Sequence, residues 1–363
     1  ESSEVVAFIR EFNMNRSRRL ILTAAAVSAL GIGVSFATRL TGTARAAVGP
    51  VPPEALALPA DSSIVMGFDV RALTNSQFYA KFGAEGQPGR VDALAEIERK
   101  TGLNPERDID AVVVAVRAAA PADAKSESAH STDNGLIFVT GRFDAARLES
   151  SIPAAGKATK ERRDGVTIFH SNGKADGAVA LLDAGILVAG NAAAVDTFLA
   201  NRATGHGIRD NRELVAMLET VEPGSAFWAV GGPSVLARVT SQIGGPAANL
   251  PAVKQVVAYG HFDPEVGLTA TAEANDIKSA TKIADVVRGF SAMMSLQSGQ
   301  RAELAQIADS ISVATEENKV HIKATITHDL IASLKKSVEP HGHARKTAMD
   351  DHEAEAPPSS DHK

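Results

Sequence analysis

The sequence predicts an α+β fold built from two related halves, each an antiparallel sheet with helices mainly on one face. Three observations carry this. Val266, Leu268, Ala270, Ala272 and Ala274 alternate with Gly267, Thr269, Thr271 and Glu273, the period of two of a strand with one buried face. The period then changes at Asp276, after which Ile277, Ala280, Ala284, Val287, Phe290 and Met294 recur at helical spacing. Finally, the same strand and helix order comes twice along the chain.

The residues before the fold read as an address. Glu1 to Asn13 precede the first methionine and are expected to be upstream read-through or added residues, outside the fold. From Met14 a basic run (Arg16, Arg18, Arg19) is followed by the apolar stretch Leu20 to Ala37 and then by Ala44-Arg45-Ala46, a small-x-small cleavage signal. Residues 14–46 are therefore expected to be a signal peptide. The run Ser17-Arg18-Arg19-Leu20-Ile21-Leu22 resembles the twin-arginine signals of bacterial proteins exported after folding. That resemblance implies contact with the export machinery through Arg18 and Arg19 and a periplasmic or secreted destination. The competing reading is an uncleaved anchor, the one route by which membrane contact is expected; Thr23, Ser28 and Gly31 weaken it.

Residues 47–60, with Pro50, Pro52, Pro53 and Pro59, read as a stiff linker without helix or ladder. The first half, 61–222, opens with a strand from Ser62 to Phe68, and Asp69 caps one helix running to Phe82. A helix from Arg90 to Thr101 closes on Gly102, with Pro105 as a stop. Asp110 to Arg117 and Gly135 to Phe143 are apolar strands expected to be covered on both faces, joined by a loop without periodicity. Asp144 caps a short helix, and Asp164-Gly165 and Asp183-Ala184-Gly185 turn two hairpins. Asn191 caps a helix to Ala200, and Arg212 to Val221 is another.

The second half, 223–338, repeats the pattern. A strand from Ser225 to Val230 leads into a helix after Gly232. Strands Val256 to Phe262 and Val266 to Ala274 flank the turn Asp263-Pro264-Glu265, and the long helix follows. A hairpin turns at Glu316-Glu317-Asn318, and a last helix runs from His328 to Val338. Residues 339–363, rich in His, Asp, Glu and Pro, bury too little to fold. Matched by layout, Ser62 to Leu73 corresponds to Ser225 to Leu236, Asp110 to Ile152 to Val253 to Met294, and Val166 to Leu199 to Ile311 to Leu334. Each copy begins βαββα and then β, so the expected units are two diverged tandem repeats in ferredoxin-like order, forming two linked sheets rather than one. This layout, with phrases such as Ala180 to Asn191, is similar to bacterial secreted proteins of tandem α+β units, a likeness that implies no particular chemistry.

Composition excludes several functions. Trp228, Tyr79 and Tyr259 are the only Trp and Tyr residues, so no aromatic platform exists for stacking bases. Six Arg and three Glu of the 37 basic and 43 acidic residues lie in the first 46, leaving the remainder at −9 and disfavouring nucleic acid. The absence of cysteine removes disulfides, thiolate metal sites and Cys nucleophiles. Ser171 to Lys174, Ser279 to Lys282 and Ser333 to Lys336 match the Ser-x-x-Lys of penicillin-binding enzymes, but Lys100-Thr101-Gly102 precedes them and ends a helix, the wrong order for that site. No catalytic residue and no cofactor is expected. The weak metal candidates are His261 and Asp263 at the central turn and His341 and His343 in the tail, each set against a plain polar reading. The one candidate binding surface is the polar sheet face of Thr269, Thr271, Glu273, His321, Lys323 and Thr325. The expected function is that of an exported, non-enzymatic binding or structural protein whose partner is a protein or small molecule. The alternative is a periplasmic hydrolase whose site is no linear motif.

Overall fold

The computed structural model describes residues 50–83, 90–117, 135–154, 158–171, 176–182, 185–233, 250–296 and 302–338. Strand β1 (Ser62–Asp69) is followed by helices α1 (Val70–Thr74), α2 (Gln77–Phe82), α3 (Arg90–Thr101) and α4 (Pro105–Asp108). Strands β2 (Ile109–Arg117) and β3 (Gly135–Gly141), helix α5 (Ala145–Ala154) and strands β4 (Ala158–Arg163), β5 (Val166–Ser171), β6 (Gly177–Leu181) and β7 (Ile186–Asn191) come next. Helices α6 (Ala192–Thr204) and α7 (Arg212–Glu219) lead to β8 (Phe227–Gly231), β9 (Val253–His261) and β10 (Val266–Ala274). Helices α8 (Ile277–Leu296) and α9 (Ala302–Ser310), the hairpin β11 (Ile311–Glu316) and β12 (Lys319–Ile326), and α10 (His328–Val338) complete the described chain.

The described strands pair into one 12-stranded sheet in the order β11-β12-β10-β9-β8-β1-β2-β3-β7-β6-β5-β4, in place of two linked sheets. Every pairing is antiparallel. The halves meet where β1 pairs with β8, Ile64 to Phe68 against Phe227 to Gly231. Both strands are apolar on two faces, and an exposed edge of that kind is a template for aggregation. Pairing them removes two such edges at once. The ferredoxin-like order is not what forms. A split βαβ unit separates two parallel strands by a third, whereas β1 and β2, joined by α1 to α4, are adjacent and antiparallel. Counting outward from the seam, β1-β2-β3-β7-β6 faces β8-β9-β10-β12-β11, with β5 and β4 added on one side. By position the hairpin at Ile311 therefore corresponds to β6–β7 rather than to the strand at Val166.

Cross-strand partners share a sheet face, which separates the two sides. One face carries Val65, Val113, Ala115, Leu136, Phe138, Val188, Trp228 and Val230 into the largest core cluster. Helices α6 and α7 close it through Phe198, Leu214 and Leu218, with the Phe198 ring centroid 5.9 Å from that of Phe138. The presumed linker also packs there. Pro53–Ala57 is a 3-10 turn started by proline, and Leu56 and Leu58 are buried in the same cluster, because a fixed φ suits a first turn and two leucines have apolar surface to bury.

The opposite face is covered in patches, so helices lie on both faces rather than mainly on one. Ala280, Ile283 and Ala284 of α8 pack on Ala272, Ala274 and Val320. Leu73 and Tyr79 join Phe68, Phe78, Phe227 and Phe262 at one end of the central strands. Phe143 and Leu148 pack on Phe169 and Leu181 near the other edge. Leu268, expected on the buried stripe, is 40 % exposed because α8 lies over the Ala272–Ala274 end of β10. The interior expected on both faces of β2 and β3 is fully buried on one side only, at Val113, Ala115, Leu136 and Phe138.

Local signals place most element ends. Asp69 accepts from the Ala72 N–H at 2.8 Å, and Asp276 from that of Ser279 at 2.7 Å. The single helix expected to reach Phe82 breaks at Asn75, where Ser76 caps a second segment by accepting from the Tyr79 N–H. Pro105 opens α4 rather than only ending what precedes it, with Asn104 as the cap. Asp164 and Gly165 take φ of 50° and 84°, the pair of positive values that a two-residue hairpin turn requires. Helix α9 is an addition to the elements the sequence predicts; the helix predicted after Gly232 lies outside the described residues.

Candidate functional site

The six residues of the predicted polar face do share one side of the sheet. Thr269 lies opposite Tyr259 and Lys323, Thr271 opposite Val257 and His321, Glu273 opposite Gln255 and Lys319, and Thr325 opposite Gly267. Two rows running across the strands show why this patch is polar. One reads Val65, Val230, Val257, Thr271, His321, Ala314; the other reads Gly67, Trp228, Tyr259, Thr269, Lys323, Ser312. Both are apolar or aromatic as far as β9, on which α7 packs, and polar on β10 and β12, with Ala314 and Ser312 following on the edge strand β11. The surface is thus the core face continued, among the described residues, past the strands on which α7 packs, and its side chains change character there.

Its side chains are partly committed. Thr271 Oγ1 is 3.1 Å from His321 Nδ1, while His321 Nε2 is out of contact with solvent and has no hydrogen-bond partner, with Glu316 Oε2 3.6 Å away. Glu273 accepts from Gln255 Nε2 at 2.9 Å and from Asn318 Nδ2 at 3.3 Å, and Lys254 Nζ lies 3.6 Å from it. It therefore braces the sheet. Lys323 and Thr325 are exposed.

The central turn holds the other candidates. His261 stands opposite Gly267, and its ring lies so close that a Cβ on Gly267 would come within 2.7 Å of Nε2. Glycine is what lets that ring lie flat on the neighbouring strand. Asp263 takes a different role: its carboxylate oxygens accept from the Gln77 N–H at 2.9 and 3.0 Å, at the start of α2. Among the described residues no group of three His, Asp or Glu gathers where it could hold a metal ion. His341 and His343 lie outside the described residues. Of the Ser-x-x-Lys matches, Ser279 and Lys282 sit on α8, where Ser279 serves the Asp276 cap.

A cleft of about 690 Å³, open to solvent, lies between α2, the Asp263 turn and the start of α10, lined by Gln77, Lys81, Glu265, Thr327, His328 and Asp329 among others. Lys81 Nζ spans it to Asp329 Oδ1 at 2.5 Å, and that hydrogen bond holds the Asp329 carboxyl below its ordinary range. His328 Nε2 is 2.8 Å from the Phe262 carbonyl, and its ring packs 5.8 Å from Phe78. Lys81 and Asp329 offset one another here, and Glu265 adds a further carboxylate to the lining. Sequence reasoning missed this cleft, because Lys81 and Asp329 stand 248 residues apart and no spacing along the chain links them.

Asp69 has its carboxyl raised, first by burial, against the N–H groups of Ala72 and Arg71. It is a helix cap, outside both the face and the cleft. Among the described residues no helix is long and apolar enough to cross a membrane.

No protein-family model matches the chain, and no curated protein matches it. Two solved structures are similar in outline. Crystal form I of TP0453 aligns with 13% identity and a TM-score of 0.43, covering 79% of this chain and 97% of that one. Crystal form IV of TP0453 aligns with 12% identity and the same TM-score, covering 77% and 94%.

Proposed function

We propose that this chain is an exported, non-enzymatic binding or structural protein that presents the polar face of β10, β12 and β11 to a protein or small-molecule partner in the periplasm or outside the cell. The observation that carries the reading is the open face itself. Among the described residues α7 packs on β8 and β9, and beyond these strands Thr269, Thr271, His321 and Lys323 stand on paired strands of the sheet. On this surface Thr269, Thr325 and Lys323 offer hydroxyl groups and a cation without a deep pocket, which suits recognition of a surface more than enclosure of a substrate. The hydrolase alternative draws no comparable support, since the open cleft spends its lysine on a neighbouring aspartate.

The leader with Arg18 and Arg19 supports export, and the mirrored strand order about the β1–β8 seam supports descent of the two halves from a duplicated unit. Native mass spectrometry of protein recovered from the periplasm tests the reading. The expected species begins near Ala47 and carries a companion mass that Lys323→Glu removes and Asp164→Lys, at a hairpin tip, does not. A companion equally retained by Lys323→Glu, or protein confined to the cytoplasm, would overturn it.

A further inference from the structure

The two ends of the sheet are built differently. Among the described residues β4 closes one end and β11 the other. An exposed strand edge invites pairing with another chain, and charged side chains along it are a defence. Strand β4 has that defence: Lys160, Glu161, Arg162 and Arg163 follow one another along it. Lys160 is tied to Glu149 at 2.6 Å, and Arg163 to Glu161 and Asp196 at 2.9 and 2.7 Å. Strand β11 carries no charge, proline or register shift from Ile311 to Thr315, and its Ser312, Ala314 and Thr315 are exposed.

The backbone of β11 has an outward set of hydrogen-bonding groups. The hairpin to β12 turns through Glu317 and Asn318 alone, so Glu316 and Lys319 close it as a hydrogen-bonded pair. Bonded and non-bonded pairs alternate from there, which turns the N–H and C=O groups of Ile311, Val313 and Thr315 away from β12. Arg288 marks that direction: its Nη2 donates to the Val313 carbonyl at 3.4 Å from outside the sheet, while Asp285 holds its Nη1 at 3.0 Å. The contact to Val313 is long and exposed, and an incoming backbone N–H replaces it.

The surroundings specify what kind of chain fits. Exposed carboxylates, Asp309 before the uncharged run and Glu316 and Glu317 after it, flank the edge. A second copy of the strand fits badly, since antiparallel pairing centred on Val313 sets Glu317 against Asp309 at both ends. Side chains alternate along the edge, with Ile311 and Val313 on the side that α8 packs and Ser312 and Ala314 on the side of Lys323 and His321. A complementary strand therefore alternates apolar with polar residues and carries cations at its ends.

We infer that β11 is a docking edge that takes an extended, basic-flanked segment of a partner polypeptide as a further strand of the sheet. This deepens the binding role of the polar face, on which it rests, by naming the partner's chemistry and the backbone groups that meet it.

The probe is a synthetic peptide of alternating valine and threonine with lysines at both ends, added to the full chain, and the readout is residue-level amide hydrogen exchange. Exchange at Ile311, Val313 and Thr315 slows about tenfold when the peptide stands at ten times its dissociation constant, and exchange along β4 does not change. The same peptide N-methylated at every valine and threonine gives no slowing. Neither does Thr315→Pro, whose lost N–H lies outside the β11–β12 ladder, so the fold is kept. Lys323→Glu alters the face and not the edge and keeps the slowing; the face is tested apart from it, by the companion mass. Unchanged exchange at the three amides, or equal slowing with the methylated peptide, overturns the inference. So does slowing that grows with protein concentration in the absence of peptide, which would assign the edge to a second copy of the chain.

Discussion

Gly67→Ala perturbs the seam that joins the two halves. Gly67 on β1 lies directly opposite Trp228 on β8, and the indole, 5 % exposed, lies across the glycine. A methyl group at position 67 would sit 2.5 Å from the indole Nε1 and nearer still to ring carbons. Ordinary carbon contacts are about 3.5–4.0 Å, so the ring or the strand must move by roughly 1 Å or more. Overpacking of this kind costs about 1–3 kcal/mol. For a domain of this size each kcal/mol lowers the melting temperature by roughly 2–4 °C, giving a fall of about 2–12 °C. Trp228 is the only tryptophan, so its fluorescence reports this one contact. The variant is expected to melt earlier and to emit at longer wavelength in the native state, as the indole is pushed towards water. A variant that melts within about 1 °C of the parent with an unshifted spectrum would mean that Trp228 does not lie on Gly67, and the pairing of β1 with β8 would fall with it.

Other consequences follow from single side chains. Phe262, 2 % exposed and within 5.4–6.1 Å of the rings of Phe227, Phe78 and Phe68, ties α2 to the β9–β10 turn; Phe262→Ala should cost about 3–5 kcal/mol in urea unfolding, and a loss under about 1 kcal/mol would contradict this packing. Asp69 keeps contact with solvent while the surrounding chain crowds and raises its carboxyl, so its ionisation in the folded state works against stability above the ordinary carboxylate range. Asp69→Asn keeps the cap without the charge and should equal or exceed the parent at neutral pH, the difference closing as pH falls; Asp69→Ala should lose about 1 kcal/mol of cap in acid and less at neutral pH, where it also removes the unfavourable charge. The opposite sign holds for Glu149, lowered first by the Lys160 hydrogen bond, and Asp210, lowered first by the Gly207 N–H and then by His206. Their contribution is present above the ordinary carboxylate value and is lost as pH falls through the depressed folded values, so the urea midpoint should drop below about pH 4, and drop less in Asp210→Asn.

Where the sequence was legible, the information was local. The caps at Asp69 and Asn191, the change of period at Asp276, the Asp164-Gly165 turn and the alternation in β10 and β12 each depend on residues a few positions apart, and each element forms where those residues place it. The six residues of the polar face came out together for the same reason, since alternation fixes which side chains share a side. Pairing across the halves was harder to read because nothing between Met66 and Ala229 marks them as neighbours. The apolar run from Ile64 to Phe68 and that from Phe227 to Val230 nonetheless have the composition of central strands, and two edges of that kind were a signal to close one sheet. Composition misleads at the Pro-rich stretch: its prolines predict a stiff linker, whereas Leu56 and Leu58 between and beside them carry apolar surface that packs into the core. Helix α9 had a usable pattern in Leu304, Ile307 and Ala308, hidden by its closeness to the end of α8. Asp263 illustrates the remaining limit: as a letter it suits a metal or a cap equally, and only the arrival of Gln77 from the other half selects the cap.

The account rests on one continuous sheet whose core side turns polar beyond β9. Paired cysteines at Met66 and Ala229, direct partners across β1 and β8, test the seam in a chain with no other thiol. Opposed residues on antiparallel strands stand about 4.5–5.5 Å apart at Cα, within the span of a disulfide. Mild oxidation of Met66→Cys/Ala229→Cys should give an intramolecular disulfide in monomer at high yield, while Met66→Cys/Ala270→Cys, several strands removed, gives none. Free thiols in the first variant after oxidation, or cross-links only between molecules, would show two separate sheets and contradict the account.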